Sequence, residues 1–458
     1  MNVDSANTSI YKKALILAIP MMIQSGIANA VVLVDNLMVG SLGTECITGV
    51  SISAQILFVF NLAVFGGLSG PGIYGAQYFG NGDREGFARV FRLKLWIVIL
   101  VTLSGIGIFL LAGPSLIRLY LTGTGNSFDP DLTMKYGLDY LNIMLIGLIP
   151  FSLTQVYAGS FREMNHSLEP MIAGLISVAV DIVFNYLLIY GKGGLPALGV
   201  KGAAIATVLS RFVDLAVIAG WRKAKSSEFP FLDHVYDTLL IPLGRMKTII
   251  IKSIPIFCNE FLWAAGVAAL SQCYSRKGLA VVAGLNIANV LCNLLNVVFI
   301  NLGAAAGILE GQLLGASEFR LAMDSAKKLV LFNGAVCLVL TLILIGLSGV
   351  FPRAYNTTAE VRDLARWFII ILAVFFPLQG MMNTLYFVLR SGGKTLITFV
   401  FDSVFSWVVS VPLAYTLCRF SPFSILAILA VVQGAELIKV LFGYYLVNKG
   451  IWITNLVA

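Results

Sequence analysis

Long apolar runs follow one another along the whole chain, with only short polar stretches between them. A helix needs about 20 apolar residues to cross a hydrocarbon layer about 30 Å thick, and each run reaches that length. The pattern predicts about twelve such helices, the first six near residues 13–38, 47–79, 88–113, 136–160, 168–190 and 200–221. Six more are predicted near 248–274, 281–315, 325–350, 364–389, 395–417 and 423–447. Between the two sets, residues 222–247 carry Arg222, Lys223, Lys225, Arg245 and Lys247, a basic linker expected on the cytosolic side. The fold class implied is an all-α membrane protein with one lobe at 1–221 and another at 248–458.

Composition agrees: 58% of the 458 residues are hydrophobic and 12% charged, with a mean hydropathy of +0.90, which suits lipid as solvent and excludes an ordinary soluble domain. The net charge of +8 could suggest nucleic acid, but Lys and Arg gather in short loops, where they act as topology signals. With Lys12 and Lys13 in the cytosol, that face holds about 20 Lys and Arg against about 10 on the other. A multi-pass protein of the bacterial inner membrane with both termini cytosolic is expected, with no nucleic-acid partner. The six cysteines stand singly and the two histidines, His166 and His234, lie in predicted loops, so neither a disulfide framework nor a zinc site is indicated. The first apolar run is long and lacks a small-residue cleavage site, so it is expected to be helix 1 and not a removable signal.

The halves resemble each other. At an offset of 235 residues, and without a gap, Ile19-Pro20 pairs with Ile254-Pro255, Gly43 with Gly278, Gly49 with Gly284 and Asn61 with Asn296. The same offset pairs Gly72-Ile73 with Gly307-Ile308, Gln77 with Gln312, Gly80 with Gly315 and Asp83 with Glu318. Farther on, Asp181-Ile-Val-Phe resembles Asp402-Ser-Val-Phe. Polar matches are rarer by chance than apolar ones in such a chain, so two copies of one six-helix unit are expected. An even number of helices per copy relates them by an axis along the membrane normal, with a central cavity between them.

An ionised carboxylate at the bilayer centre costs about 2.5–3.5 kcal/mol on insertion scales, so an intramembrane acid is a functional candidate by default. Asp35 lies toward the outer part of helix 1, where an ion-pathway acid and an acid snorkelling to the interface both fit. Asp181 lies deep in an apolar run, with Asn185 four residues on and on the same helical face, a pair able to share a proton or bind a cation. Asp402 occupies the related place in the second half, and for both acids a purely structural hydrogen bond is the other reading. Glu260 follows Pro255 by about a turn and a half, without Lys or Arg nearby in sequence, and is the candidate acid of the C-terminal half of the cavity. Burial penalises the ionised form of any carboxylate, which lets such a group load and release a proton as access alternates, while Na+ could compete for the same oxygens.

Pro20 and Pro255 are candidate hinges, or static kinks. Asn61, Asn286, Asn289, Asn293, Asn296 and Asn301 recur at roughly helical spacing and can either join helices or line a wet cavity. The residues assigned to the substrate cavity are Gln24, Asn61, Glu260, Asn289, Asn293 and Asn296. Arg162 and Arg390 each end an apolar helix and read as topology anchors. Gly66-Gly67-Leu-Ser-Gly70 reads as close helix packing, without a P-loop pattern. No Walker sequence, nucleophile elbow or HExxH motif is present, so neither ATP hydrolysis within the chain nor an enzyme is indicated, and no cofactor is expected.

These residues together resemble the multidrug and toxic compound extrusion (MATE) family over nearly the full length. Val34-Asp35-Asn-Leu-Met-Val-Gly40-Ser-Leu-Gly43 is similar to the acid-bearing end of the family's helix 1, and Pro20 to its helix-bending proline. Asn259-Glu260-Phe-Leu-Trp263 resembles its helix 7 acid. Leu389-Arg-Ser-Gly-Gly-Lys394, Asp402 and Val411-Pro-Leu-Ala414 resemble the family's helix 10–11 connection and the helix after it. The resemblance implies a V-shaped, monomeric antiporter whose two lobes rock while exchanging H+ or Na+ for drug-like, often cationic molecules, with a cavity formed mainly by helices 1, 2, 7 and 8. It implies cation coupling through Asp35, Asp181, Asn185, Glu260 and Asp402, with Na+ possible at Asp35 and Asp181.

Two departures stand out. The family's helix 5 has Asn followed four residues later by Asp, where this chain has Asp181 then Asn185, and the acid often found inside helix 10 is replaced by Gln379 and Asn383. A lipid-linked oligosaccharide flippase of the same broad superfamily is the principal alternative. It would need Arg and Lys around an anionic pyrophosphate, and helices 1, 2, 7 and 8 contain almost no interior cations. Acids there suit a cation instead.

Overall fold

Twelve helices long and apolar enough to cross a membrane are present in the computed structural model, which describes residues 9–121, 129–233, 235–238, 240–241 and 243–458. They are α1 (Ile10–Gly40), α2 (Thr44–Asn81), α3 (Arg84–Leu121), α4 (Pro130–Glu163), α5 (Leu168–Tyr190) and α6 (Val200–Ala224). The second set is α7 (Leu243–Ser275), α8 (Leu279–Gly315), α9 (Phe319–Ser348), α10 (Ala359–Ser391), α11 (Thr395–Phe420) and α12 (Ile425–Asn448). No strand occurs among the described residues.

Every predicted helix is found, and most run longer than predicted. Arg84 and Glu85 open α3, and Arg118 sits in its last turn. The apolar criterion ends a helix at such charges, but a helix projecting beyond the hydrocarbon keeps its backbone bonds and wets its charged ends. Local signals set several termini. The Asp129 carboxylate accepts from the amides of Asp131 and Leu132 at 3.0 and 3.1 Å, with Pro130 next, and so starts α4. Gly191, at φ 66°, closes α5 in a left-handed conformation that glycine adopts without strain.

Two compact units divide these helices, and the chain passes between them at Thr248 and Ile249, where the predicted linker ends, as well as within α1, within α2 and at the turn before α3. One unit holds Ile23–Gly75 and Arg84–Thr248; the other takes the chain up to Met22, Ala76–Asp83 and Ile249–Ala458. The start of α1 and the end of α2 group with the helices after Ile249, and the described residues of 222–247 with the helices before them.

Burial explains this division. Ala14, Leu17, Ala18 and Met21 of α1 share one core with Leu302, Ala305, Ala306 and Leu309 of α8 and Leu329 of α9, and the Tyr11 ring lies 5.1 Å from that of Phe332. At the end of α2 the repeat-matched residues meet: Gly80 lies against the carbonyl of Gln312, and Gly315 against the carbonyl of Gln77. A Cβ at either glycine would collide with main chain. Gly315→Val is therefore expected to lower stability by about 1–3 kcal/mol, checked by thermal unfolding in detergent; an unchanged midpoint would show that the crossing relaxes freely.

The linker is docked onto its own unit. Phe229, Leu232 and Val235 are buried, with ring centroids of Phe161 and Phe229 4.8 Å apart and of Phe87 and Phe231 5.6 Å apart. Arg92 Nε donates to the Val235 carbonyl at 3.0 Å, and Arg222 to that of Leu232 at 2.6 Å. His166 pairs with Glu169 at 2.9 Å, and His234 lies outside the described residues.

Candidate functional site

In the N-terminal unit, α1 carries Asp35 and α5 carries Asp181 and Asn185. The four-residue spacing puts Asp181 and Asn185 on one face of α5, as predicted. The Asn185 amide donates to Asp35 Oδ1 at 2.8 Å and to Asp181 Oδ2 at 3.1 Å, so a single NH2 group bridges two carboxyls. Asn185 and Asp181 are buried, at 1% and 4% exposure, and Asp35 is half-buried. The hydroxyls of Thr207 and Ser210 on α6 stand beside Asp181, as does the charge of Arg211. Those hydroxyls donate to the carbonyls of Ala203 and Thr207, at 3.1 and 2.9 Å.

Asp181 Oδ1 and Asn185 Oδ1 are left without a hydrogen-bond donor. Two carboxyls that meet through one amide, with acceptor oxygens to spare, form a site that a proton or a small hard cation completes. The inverted order of Asp181 and Asn185 does not break the cluster, because residues four apart share a helical face in either order. Among the described residues, no three His, Cys, Asp or Glu side chains converge as a transition-metal site would require.

In the C-terminal unit, Glu260 lies on α7 and Asp402 on α11, where the backbone runs in π-helical turns over Val400–Val404 and Ser406–Ser410. Such turns are frequent at functional sites. Asp402 is held by partners on two other helices. Its Oδ1 accepts from Lys439 Nζ of α12 at 3.4 Å and its Oδ2 from Asn259 at 3.1 Å. Lys439 also pairs with Glu436 at 2.9 Å, and Ser403 donates to Asn259 Oδ1 at 2.6 Å. Glu260 has no basic neighbour in sequence but has one in space, since the charge of Arg390 on α10 acts on it. Arg390 is accordingly not a topology anchor at a wet helix end; it is 6% exposed and packs over the rings of Tyr386 and Phe387.

Arg162 is likewise engaged inside the protein. It donates to Gln24 Oε1 at 2.7 Å, and Gln24 Nε2 donates to the Pro170 carbonyl at 3.1 Å. Both ends of the Gln24 amide are thus engaged within the N-terminal unit, each with one further hydrogen-bonding position. On α8, Asn286, Asn289 and Asn293 are exposed and Asn296, half-buried, donates to Asn293 Oδ1 at 3.1 Å. Spacings of three, four and three residues set them along one face, and lipid offers no partner to an amide, so this face suits water. Asn301 turns to its own backbone, donating to the Val297 carbonyl at 2.7 Å, and Asn61 is half-buried on α2.

Pro20 lies inside α1 three residues before Ile23, where the helix passes from one unit to the other, and Pro255 lies inside α7. Sequence reasoning passed over Pro71, which sits inside α2 five residues before its own crossing at Ala76. It also passed over Glu310 of α8, which is fully buried with Oε1 accepting from Ser325 at 2.6 Å, and over Glu436 and Lys439. The rule that picked Asp181 out of an apolar run applies equally to Glu310.

The family model described as MatE matches this chain twice, over residues 20–187 and 255–416, one match in each predicted half. A probable multidrug resistance protein NorM of Bradyrhizobium diazoefficiens is 25% identical over 417 residues, covering 89% of this chain and 86% of the relative. The fold is similar to that of MATE in the bent conformation, with a TM-score of 0.83 at 19% identity over 97% of this chain and 96% of the other. It is also similar to a mutant of the Vibrio cholerae MATE transporter VcmN, with a TM-score of 0.83 at 15% identity over 96% of both chains.

Proposed function

Because this chain belongs to the MatE family, we propose that it is a secondary active antiporter of the bacterial inner membrane, with both termini cytosolic, that exports small organic, often cationic molecules in exchange for H+ or Na+. The observation that carries this reading is the bridge from Asn185 to Asp35 and Asp181, a buried group of acceptors that a single positive charge completes. The relative in Bradyrhizobium diazoefficiens, a probable multidrug resistance protein, supports the substrate class.

Exchange arises from competition for negative charge. A proton or Na+ that enters from outside joins Asp35 and Asp181 and draws α1 against α5. α1 also runs into the other unit through Pro20, so a change in its tilt is felt by both units. An organic cation is attracted by Glu260 and held by the amides along α8. Past their first turns α1, α2, α7 and α8 carry almost no cations, which favours a cationic substrate over a lipid pyrophosphate.

Binding of a fluorescent organic cation to the purified protein tests the substrate class. Wild type is expected to bind it and Glu260→Gln to bind it at least about tenfold more weakly, a loss of about 1.4 kcal/mol. Tight binding of a polyprenyl pyrophosphate, with no binding of the cation, would replace export by lipid-linked flipping.

A further inference from the structure

The acids of the two units have different company. In the N-terminal unit Asp35 and Asp181 share an amide, and the cation nearest them in effect, Arg211, hydrogen-bonds the carbonyl of Gly147 at 3.2 Å. In the C-terminal unit an ammonium sits directly between the carboxylates. Lys439 Nζ is 3.4 Å from Asp402 Oδ1 and 2.9 Å from Glu436 Oε2, its side chain is 3% exposed, and it lies 5.4 Å from the centre of the Phe405 ring. Asp402 Oδ2 accepts from Asn259 at 3.1 Å and Glu436 Oε1 from Ser410 at 3.2 Å, while Glu436 Oε2 has the Lys439 ammonium as its ion-pair partner and no hydrogen bond. The charge of Asp402 also acts on Glu260, as does that of Arg390. The repeat sharpens the contrast, because at the offset that pairs Asp181 with Asp402, Glu436 falls on Leu215 and Lys439 on Ile218, so neither has a charged counterpart in the first half.

We propose that Lys439 is a tethered counter-cation that fills the acid site of the C-terminal unit, so that this unit takes up no free alkali cation. Removal of the ammonium turns Asp402 and Glu436 into a monovalent-cation site. An ammonium and Na+ carry the same charge and satisfy the same carboxylate oxygens. The ammonium is attached to α12, so its local concentration is fixed by the fold and not by the solution. Free Na+ would have to displace a buried Lys that has no other carboxylate to move to without breaking two contacts, and a buried charge parted from its partners is costly. Lys439 thereby decides ion specificity: it leaves the Asp35 and Asp181 cluster as the place where a mobile cation can enter.

The test is sodium binding by purified protein in detergent, read as 22Na+ uptake and as the difference in thermal midpoint between NaCl and choline chloride at equal ionic strength. Lys439→Ala is expected to gain a bound sodium and an upward shift of several degrees specific to NaCl, and Lys439→Ala/Asp402→Asn to lose both. Absence of that gain in folded Lys439→Ala protein overturns the proposal. Should Lys439→Ala not fold, the comparison of wild type with Asp402→Asn decides, since Asn keeps the shape and Lys439 keeps Glu436. Equal sodium binding by the two is expected, and a loss in Asp402→Asn overturns the proposal. Ion binding is read here apart from export, so failure of this proposal leaves the antiport reading intact.

Discussion

Asp35→Asn is expected to reduce gradient-driven export by at least about 100-fold, the scale of losing roughly 2.7 kcal/mol of ion binding, while the protein accumulates in the membrane as before. The asparagine retains an oxygen where Asn185 donates at 2.8 Å, so the packing of α1 against α5 survives. What disappears is one of the two negative charges that meet at that amide, and with it the reason for a cation to enter. A thermal midpoint within a few degrees of wild type separates this from misfolding. Export at the wild-type rate from protein of normal abundance would remove Asp35 from the transport cycle.

The largest expected effect on stability lies elsewhere in the N-terminal unit. Lys94 of α3 and Glu163 of α4 form an ion pair with Nζ–O distances of 2.6 and 2.7 Å, and Lys94 also reaches Ser160 Oγ at 3.2 Å. The side chains are 2% and 7% exposed. The carboxylate of Glu163 rests in a notch of α2 at Gly72 and Gly75, where a Cβ would run into it. Lys94→Met removes the cation that pairs with the buried carboxylate, which costs about 3–5 kcal/mol for a buried pair that loses one member. The expected readout is a sharp fall in folded yield and thermal midpoint, most of it recovered in Lys94→Met/Glu163→Gln, where no charge is left to desolvate. If the double variant is as impaired as the single, packing and not charge is what Lys94 supplies.

The twelve helices were legible because apolar length alone sets them: lipid cannot satisfy a bare backbone, so each run must be helical. The repeat was legible through polar pairs, and its most informative pairs, Gln77 with Gln312 and Gly80 with Gly315, are side by side where α2 crosses α8. Asp35, Asp181 and Asn185 could be found because an acid inside an apolar run is expensive enough to need a reason, and the structure gathers all three.

What the sequence withheld was company. Asp402 and Lys439 lie on different helices, as do Glu260 and Arg390, and no spacing rule links residues that only packing brings together. Arg162 and Arg390 sat where topology signals sit, so their burial was hidden by position. The division of α1 and α2 between two units was hidden for a related reason: hydropathy marks where a helix begins and ends but not which neighbours bury each of its turns.

Coupling of export to an ion gradient is measured in proteoliposomes loaded with a fluorescent organic cation, first under an imposed proton gradient and then under a sodium gradient, with Asp35→Asn alongside. Efflux that requires one of the gradients and is lost in Asp35→Asn is the expected result, and the gradient that works names the ion. Equal efflux with and without either gradient, or gradient-driven efflux that Asp35→Asn leaves untouched, would contradict it.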